Sequence, residues 1–324
     1  MTSYREAGVD LEGATRHVAN IKDAVTATWT ESVLGGFGGF AAGVELPDGY
    51  LNPILMMSTD GVGTKLELAR RSQQWTGVGN DLVAMCIDDL AAVGALPLGF
   101  VDYIAVGALD EARDAEIVAS IASACRLAEC PLLGGETAEH PGVMEPDAVD
   151  LAGAVMGVVD KGAELGPDRV LEGDVVIGLR SPNLRSNGFS LIRSVFGESV
   201  DEHIDQLLEP SVIYSPSVHD AVKTGGVHGA AHITGGGLAE NLARTLPDGL
   251  GSVVETNTWD RPDVFDLVMD CGVEKHDMWR TFNMGIGFCL VVDPASTQEV
   301  MSETRHHDPR VIGSVTSGSG VELR

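Results

Sequence analysis

The strongest constraint on how this chain folds is a repeated change of period. Short apolar runs with strand character alternate with stretches whose apolar residues recur every three or four positions, and glycine clusters mark the changes. Residues 53–58, 98–106, 131–133 and 150–159 read as strands, with helices over 81–93 and 112–128. A segment rich in Gly, Pro and charge, 160–174, interrupts the pattern, which restarts at "VVIGL". Beyond it, 285–292 and 310–315 read as strands, and 189–196, 216–223, 238–246 and 262–270 as helices. The alternation predicts an α/β (α+β) fold in two domains, 1–160 and 161–324. The 324 residues, 44% of them hydrophobic, suffice for a large core.

Composition excludes several classes. There is no apolar stretch near 18 residues, so no membrane span is expected. The opening "MTSYREAGVD" lacks the basic and apolar regions of a signal peptide, which predicts a cytoplasmic protein. Five cysteines, an odd number without C-x-x-C spacing, point to buried thiols rather than disulfides or zinc. The net charge of −27 opposes nonspecific binding to nucleic acid or an anionic membrane. Arginines outnumber lysines sixteen to five. An acidic, lysine-poor surface suits concentrated salt, where screening removes self-repulsion, so a halophile-like origin is expected.

Four glycine clusters fall at element ends: "LGGFGGF" (34–40), "DGVGTK" (60–65), "LGGETAEHPG" (133–142) and "HITGGG" (232–237). One alone is an ordinary turn. Three of them carry Asp, Glu, His, Thr or Lys, which predicts several loops converging on an anionic ligand. "DGVGTK" is not a phosphate-wrapping P-loop, because its glycines are too close and an aspartate leads. At about 100° per residue, Asp81 and Asp88 lie about 20° apart on the polar side of the helix, and Asp89 about 80° round at the edge of the apolar stripe. Asp81 then reads as a helix-start carboxylate and Asp88 as a solvated acid. Asp60 and Asp89 are the metal candidates, and Mg²⁺ suits them, since it uses one or two carboxylates and completes its shell with phosphate and water. Lys65 reads either as a point charge on phosphate or as a surface lysine. Glu136 and Thr137 are ligand groups or turn residues. His232, just ahead of Thr234 and three glycines, is an anion-site residue or a core histidine.

Taken together, "YREAGVD" (4–10), "LGGFGGF", "STDGVGTKL", "GNDLVAMCIDDL" (79–90), "LLGGETAEHPG", "RSNGFSL" (185–191), "HITGGGLAEN" and "RTFNMGIG" (280–287) resemble, in order and nearly end to end, the phosphoribosylformylglycinamidine cyclo-ligase (aminoimidazole ribonucleotide synthetase) family. The resemblance implies that family's two-domain fold, with N-terminal domains pairing into a β-barrel in a homodimer and a C-terminal α/β domain completing the substrate cleft. It implies ATP- and Mg²⁺-dependent ring closure: phosphorylation of the amide oxygen of formylglycinamidine ribonucleotide, then displacement of phosphate by an internal nitrogen. On these grounds the metal residues are Asp60 and Asp89, and the catalytic residues Asp60, Lys65, Glu136 and His232. Lys22, Gly61, Gly63, Thr64, Asp81, Thr137, Asn187 and Thr234 bind nucleotide or substrate. The chain departs from the family at Arg185, where many relatives have His, at Asp88, where Asn is common, and at His140, where Met is common. Arg185 cannot move a proton there but could bind phosphate. Loop 34–40 is expected either to close over the site as a lid or to seat Phe37 and Phe40 in the core.

Formylglycinamidine ribonucleotide synthetase, thiamin-monophosphate kinase and selenophosphate synthetase share such an acidic ATP site, so fold alone does not choose among them. Selenophosphate synthetase would need a reactive Cys in an N-terminal loop, whereas the first here is Cys86, inside a helix. A nucleotide-binding regulator without catalysis is the alternative from another class.

Overall fold

A computed structural model of the chain describes residues 10–324; the motif at 4–10 lies, apart from Asp10, outside the described residues. The N-terminal half contains α1 (Leu11–Thr26), a small ribbon of β1 (Val33–Leu34) and β2 (Gly43–Val44), then β3 (Pro53–Gly61), α2 (Lys65–Ser72), α3 (Val78–Ala92), β4 (Leu96–Val106), α4 (Glu111–Leu127), β5 (Leu132–Glu139) and β6 (Val149–Asp160). The C-terminal half contains β7 (Val175–Arg180), α5 (Phe189–Phe196), α6 (Ile204–Leu207), α7 (Ser215–Lys223), β8 (Val227–His232), α8 (Gly237–Ala243) and β9 (Leu250–Val254). It ends with α9 (Asp263–Asp270), α10 (Lys275–Thr281), β10 (Ile286–Val292), α11 (Thr297–Glu303), β11 (Arg310–Ser317) and β12 (Gly320–Leu323).

Two sheets organise the halves: a four-stranded one ordered β3-β6-β4-β5 and a six-stranded one ordered β12-β9-β11-β7-β10-β8. In the first, β6 runs antiparallel to β3 and β4, while β4 and β5 are parallel. One face is buried through Phe100, Ile104, Leu151 and Val155, which share a core with Leu82, Cys86 and Ile87 of α3 and Ile117 and Ile121 of α4. The two helices approach closely because residue 79 is Gly: a Cβ there would stand 2.2 Å from the backbone of Ser120. The other face leaves Leu55, Met57, Val101 and Tyr103 exposed. In the six-stranded sheet, β10 is buried at every residue, as the continuous apolar run "IGFCLVV" requires.

The expected strands and helices appear at or close to the expected positions, with 131–133 extending to Glu139. Sequence periodicity did not register α1, β1, β2, α2, α6, β8, β9, α10, α11 or β12; apart from α1 these are short or mixed in pattern. The thiols of Cys86, Cys125, Cys130 and Cys289 are free and buried, and that of Cys271 is half-buried. No helix among the described residues is long and apolar enough to cross a membrane.

The helix-phase reading of α3 fails at Asp81 and Asp88. Twelve of its 15 residues are buried, because the N-terminal sheet takes the apolar stripe and the C-terminal half covers the polar side. Asp88 is not a solvated acid: it is fully buried. Asp89, placed at the edge of the stripe by angle, is the exposed member, with 46% of its side chain accessible. A helix wheel locates the apolar face but cannot say that a second layer will cover the other one.

Candidate active site

The exposed end of β3 puts Asp60 opposite the C-terminal end of α3, and β8 delivers His232 to the same place. His232 Nδ1 lies 2.9 Å from Asp89 Oδ1. The carboxylate can only accept, which assigns that proton to Nδ1. Asp89 Oδ2 accepts from the hydroxyl of Ser58 at 3.2 Å. The His232 side chain is 2% exposed, and its buried Nε2 has no partner. Burial works to raise the Asp89 carboxyl, but the hydrogen bonds from His232 and Ser58 outweigh it and hold the group below its ordinary range. Asp60 shifts the other way: burial, with the neighbouring charge of Asp89, raises it against the opposing Gly61 N–H. A carboxylate whose ionisation is opposed by a neighbouring ionised one is suited to sharing a cation with it.

Three glycine turns close the walls. The "DGVGT" turn carries Gly61, Gly63 and Thr64, and Thr64 Oγ1 lies 3.1 Å from Ser190 Oγ. Asn187 Oδ1 accepts from Gly235 N at 3.2 Å, joining the 185–190 loop to the turn that holds Thr234. Asp60, Asp89 and His232 therefore gather between the halves, with Gly61, Gly63 and Thr64 following Asp60 and with Asn187 tied to the turn of Thr234, and together they mark a candidate cleft.

Other expected site residues lie elsewhere. Lys65 is 1% exposed, and its ammonium donates to Asp81 at 2.9 Å, Arg185 O at 3.2 Å and Glu209 O at 2.9 Å. With its three protons occupied, it cannot meet phosphate as a point charge. Asp81, also 1% exposed, accepts from Lys65 and from the Ser211 N–H and hydroxyl, so it is a structural anchor and not a nucleotide ligand. Arg185 is not a phosphate arginine either: it is wholly buried against Asp88 at 2.7 Å. Each misreading has one cause, since the sequence does not show which charges meet across the two halves.

Glu136 is separated from the cleft by the sheet itself. Asp60, Gly153, Asp102 and Gly135 occupy one row across β3, β6, β4 and β5. Glu136 follows Gly135, so it points to the opposite face, three strands and roughly 14 Å from β3. Thr137 instead meets Nε2 of His17 on α1 at 3.2 Å, and Lys22 lies exposed further along that helix. In loop 34–40 the core reading holds in part for Phe37, which packs against the core, and fails for Phe40, which is fully exposed. The orphaned Nε2 of His232 carries no sequence signal of its own.

Two α/β halves joined through one acidic helix, with facing carboxylates and glycine turns between them, define a recognisable class. Residues 44–159 match the family model described as AIR synthase related protein, N-terminal domain, and residues 172–324 match the C-terminal domain of the same description. A phosphoribosylformylglycinamidine cyclo-ligase from Synechococcus sp. (strain CC9605) is 44% identical over 331 residues, covering 98% of this chain and 96% of that protein. The chain belongs to the phosphoribosylformylglycinamidine cyclo-ligase family. Its fold is also that of thiamine-monophosphate kinase from Stenotrophomonas maltophilia K279a, with a TM-score of 0.71 at 18% identity over 94% of this chain and 95% of that one. A structure of hydrogenase maturation protein HypE in complex with ATP aligns with a TM-score of 0.69 at 18% identity, covering 94% and 86%. At such identities these two show the fold alone.

Proposed function

We propose that the chain closes the imidazole ring of formylglycinamidine ribonucleotide, using ATP and releasing aminoimidazole ribonucleotide, ADP and phosphate, as a ligase of de novo purine biosynthesis in the cytoplasm. The observation that carries this reading is the match to a cyclo-ligase at 44% identity over 98% of the chain. It selects this reaction over the kinase chemistry of neighbours that share only the fold.

An amide oxygen is a poor leaving group until it is phosphorylated. The cleft residues would hold the phosphoryl donor and the amide together, and intramolecular closure then gains from orientation, worth up to ~7–11 kcal/mol. Asp60 and Asp89 fit a magnesium ion, being neighbouring hard oxygen donors, with the charge of Asp89 opposing ionisation of Asp60. When bound there, Mg²⁺ would supply neutralisation of the negative charge on the transferring phosphoryl group. His232 orients Asp89 through Nδ1, and its unpartnered Nε2 is free to take a proton as the ring closes. Asn187, Thr64, Thr234 and the Gly61–Gly63 turn supply neutral donors to phosphate and ribose oxygens.

The reading includes a division between residues 1–160, with the metal carboxylates, and 161–324, which completes the cleft. It also includes a homodimer. The exposed face carrying Leu55, Met57, Val101 and Tyr103 supports that pairing, because an uncovered apolar sheet invites association. Glu136 lies on this face, so any part it takes in catalysis requires the second copy. The excess of 48 acidic over 21 basic residues supports work in concentrated salt.

The test is a coupled measurement of ADP and aminoimidazole ribonucleotide formed from formylglycinamidine ribonucleotide, ATP and Mg²⁺. One of each per turnover is expected. ADP release with thiamin monophosphate and none with the purine precursor would replace the reading with a kinase.

A further inference from the structure

Asp88 and Arg185, 97 residues apart in sequence, are one feature in space. Asp88 lies on α3 and Arg185 opens a loop of the C-terminal half, yet Asp88 Oδ2 and Arg185 Nη2 stand 2.7 Å apart with both side chains 0% exposed. The other carboxylate oxygen accepts the N–H groups of Tyr214 at 2.9 Å and Ser215 at 3.0 Å, where α7 begins. The guanidinium donates through Nη1 to Gly287 O at 3.1 Å and through Nη2 to Val212 O at 3.1 Å, and it lies 5.0 Å from the centre of the Tyr214 ring. Four segments are thereby gripped at one point: α3, the 185–190 loop, the approach to α7, and β10.

Three of the four gripped segments lead directly to cleft groups. Asp89 follows Asp88. Ser186 and Asn187 follow Arg185, and Asn187 holds Gly235. Gly287 O, which takes Arg185 Nη1, also accepts the N–H of Ile233, the residue after His232. A dry ion pair whose guanidinium also spans two backbone carbonyls, and whose carboxylate also holds two N–H groups, tolerates little change of angle, so it fixes orientation more than it adds stability.

We infer that the Asp88–Arg185 pair is a positioning element that sets the contact between Asp89 of one half and His232 of the other. This rests on the reading that Asp89 and His232 serve the cyclisation. Neither Asp88 nor Arg185 touches the cleft; they act through the backbone segments that carry the residues that do.

The test uses the full-length protein with Asp88→Asn/Arg185→Gln, which replaces a buried charge pair by a neutral amide pair and leaves no charge stranded. Readouts are Tm, kcat, both KM values and the ring ¹⁵N resonances of His232, assigned with His232→Gln. A positioning role predicts Tm near wild type, kcat lower by ~10–100-fold with KM values nearly unchanged, and displaced His232 resonances, since the short amides cannot reach Gly287 and Val212 together. Arg185→Lys, which keeps the charge but loses the fork, is expected to fall between. Wild-type kcat with unmoved His232 resonances in the double variant would overturn the inference and leave a purely structural pair. His232→Gln decides the underlying reading separately: full activity there removes His232 from the reaction, while the resonance shift still reports positioning.

Discussion

Asp102 offers a test in which the magnitude follows from one group. It sits on β4 facing the helices, 9% exposed, with no cation or hydrogen-bond donor at its carboxylate among the described residues. Space for it exists because its neighbour in the row is Gly135, where an added Cβ would lie 1.8 Å from Asp102 Oδ1. Burial alone pushes the carboxyl from 3.8 up to about 7. Between about pH 4 and pH 7 the unfolded chain gives up this proton while the native state keeps it. The native state then binds the extra proton, so stability falls as pH rises through that window and is level above it. A shift of about three units corresponds to about 4 kcal/mol at 1.36 kcal/mol per unit. Asp102→Asn keeps the volume and removes the charge. Urea unfolding of both proteins at pH 4 and pH 8, compared as a difference so that the other acids cancel, should give near-equal stability at pH 4. At pH 8 the variant should be more stable, by an amount approaching 4 kcal/mol. A difference that does not change with pH, or a variant weaker at pH 8, would refute the account of Asp102 as an unpaired buried acid.

Lys65→Met should cost about 3–5 kcal/mol in unfolding measurements, because it strands Asp81 as a buried charge, while leaving the KM for ATP of the folded fraction unchanged. Asp60→Asn and Asp89→Asn should each abolish Mg²⁺-dependent turnover with Tm within a few degrees of wild type; retained turnover in either would remove that residue from the metal site. Asp88→Asn alone should be strongly destabilising in thermal melts, since Arg185 loses its carboxylate partner in a dry site. Met57→Asp, on the exposed sheet face, should turn a dimer into a monomer by light scattering at working salt, and an unchanged mass would place the dimer contact elsewhere.

The sequence by itself determined the local order of elements and much of the cleft's inventory. Periods of two and 3.6 located most strands and helices, since the packing that buries one face of each leaves its mark within a few residues. The motifs carried the family, and the structure brings Asp60, Asp89 and His232 together. Only the tertiary structure decided which charges are working groups and which are bolts. Lys65, Asp81, Asp88 and Arg185 have the composition of a phosphate site, yet each is consumed by a partner from a distant segment: Lys65 by Asp81, 16 residues away, and Asp88 by Arg185, 97 away. Likewise Glu136 and Asp60 are both strand acids beside glycines, but pleat and strand order set them on opposite faces of one sheet. Periodicity reports the first layer that a helix or strand packs against. The second layer arrives through chain topology, and it is the second layer that dries a charge and settles what it can do.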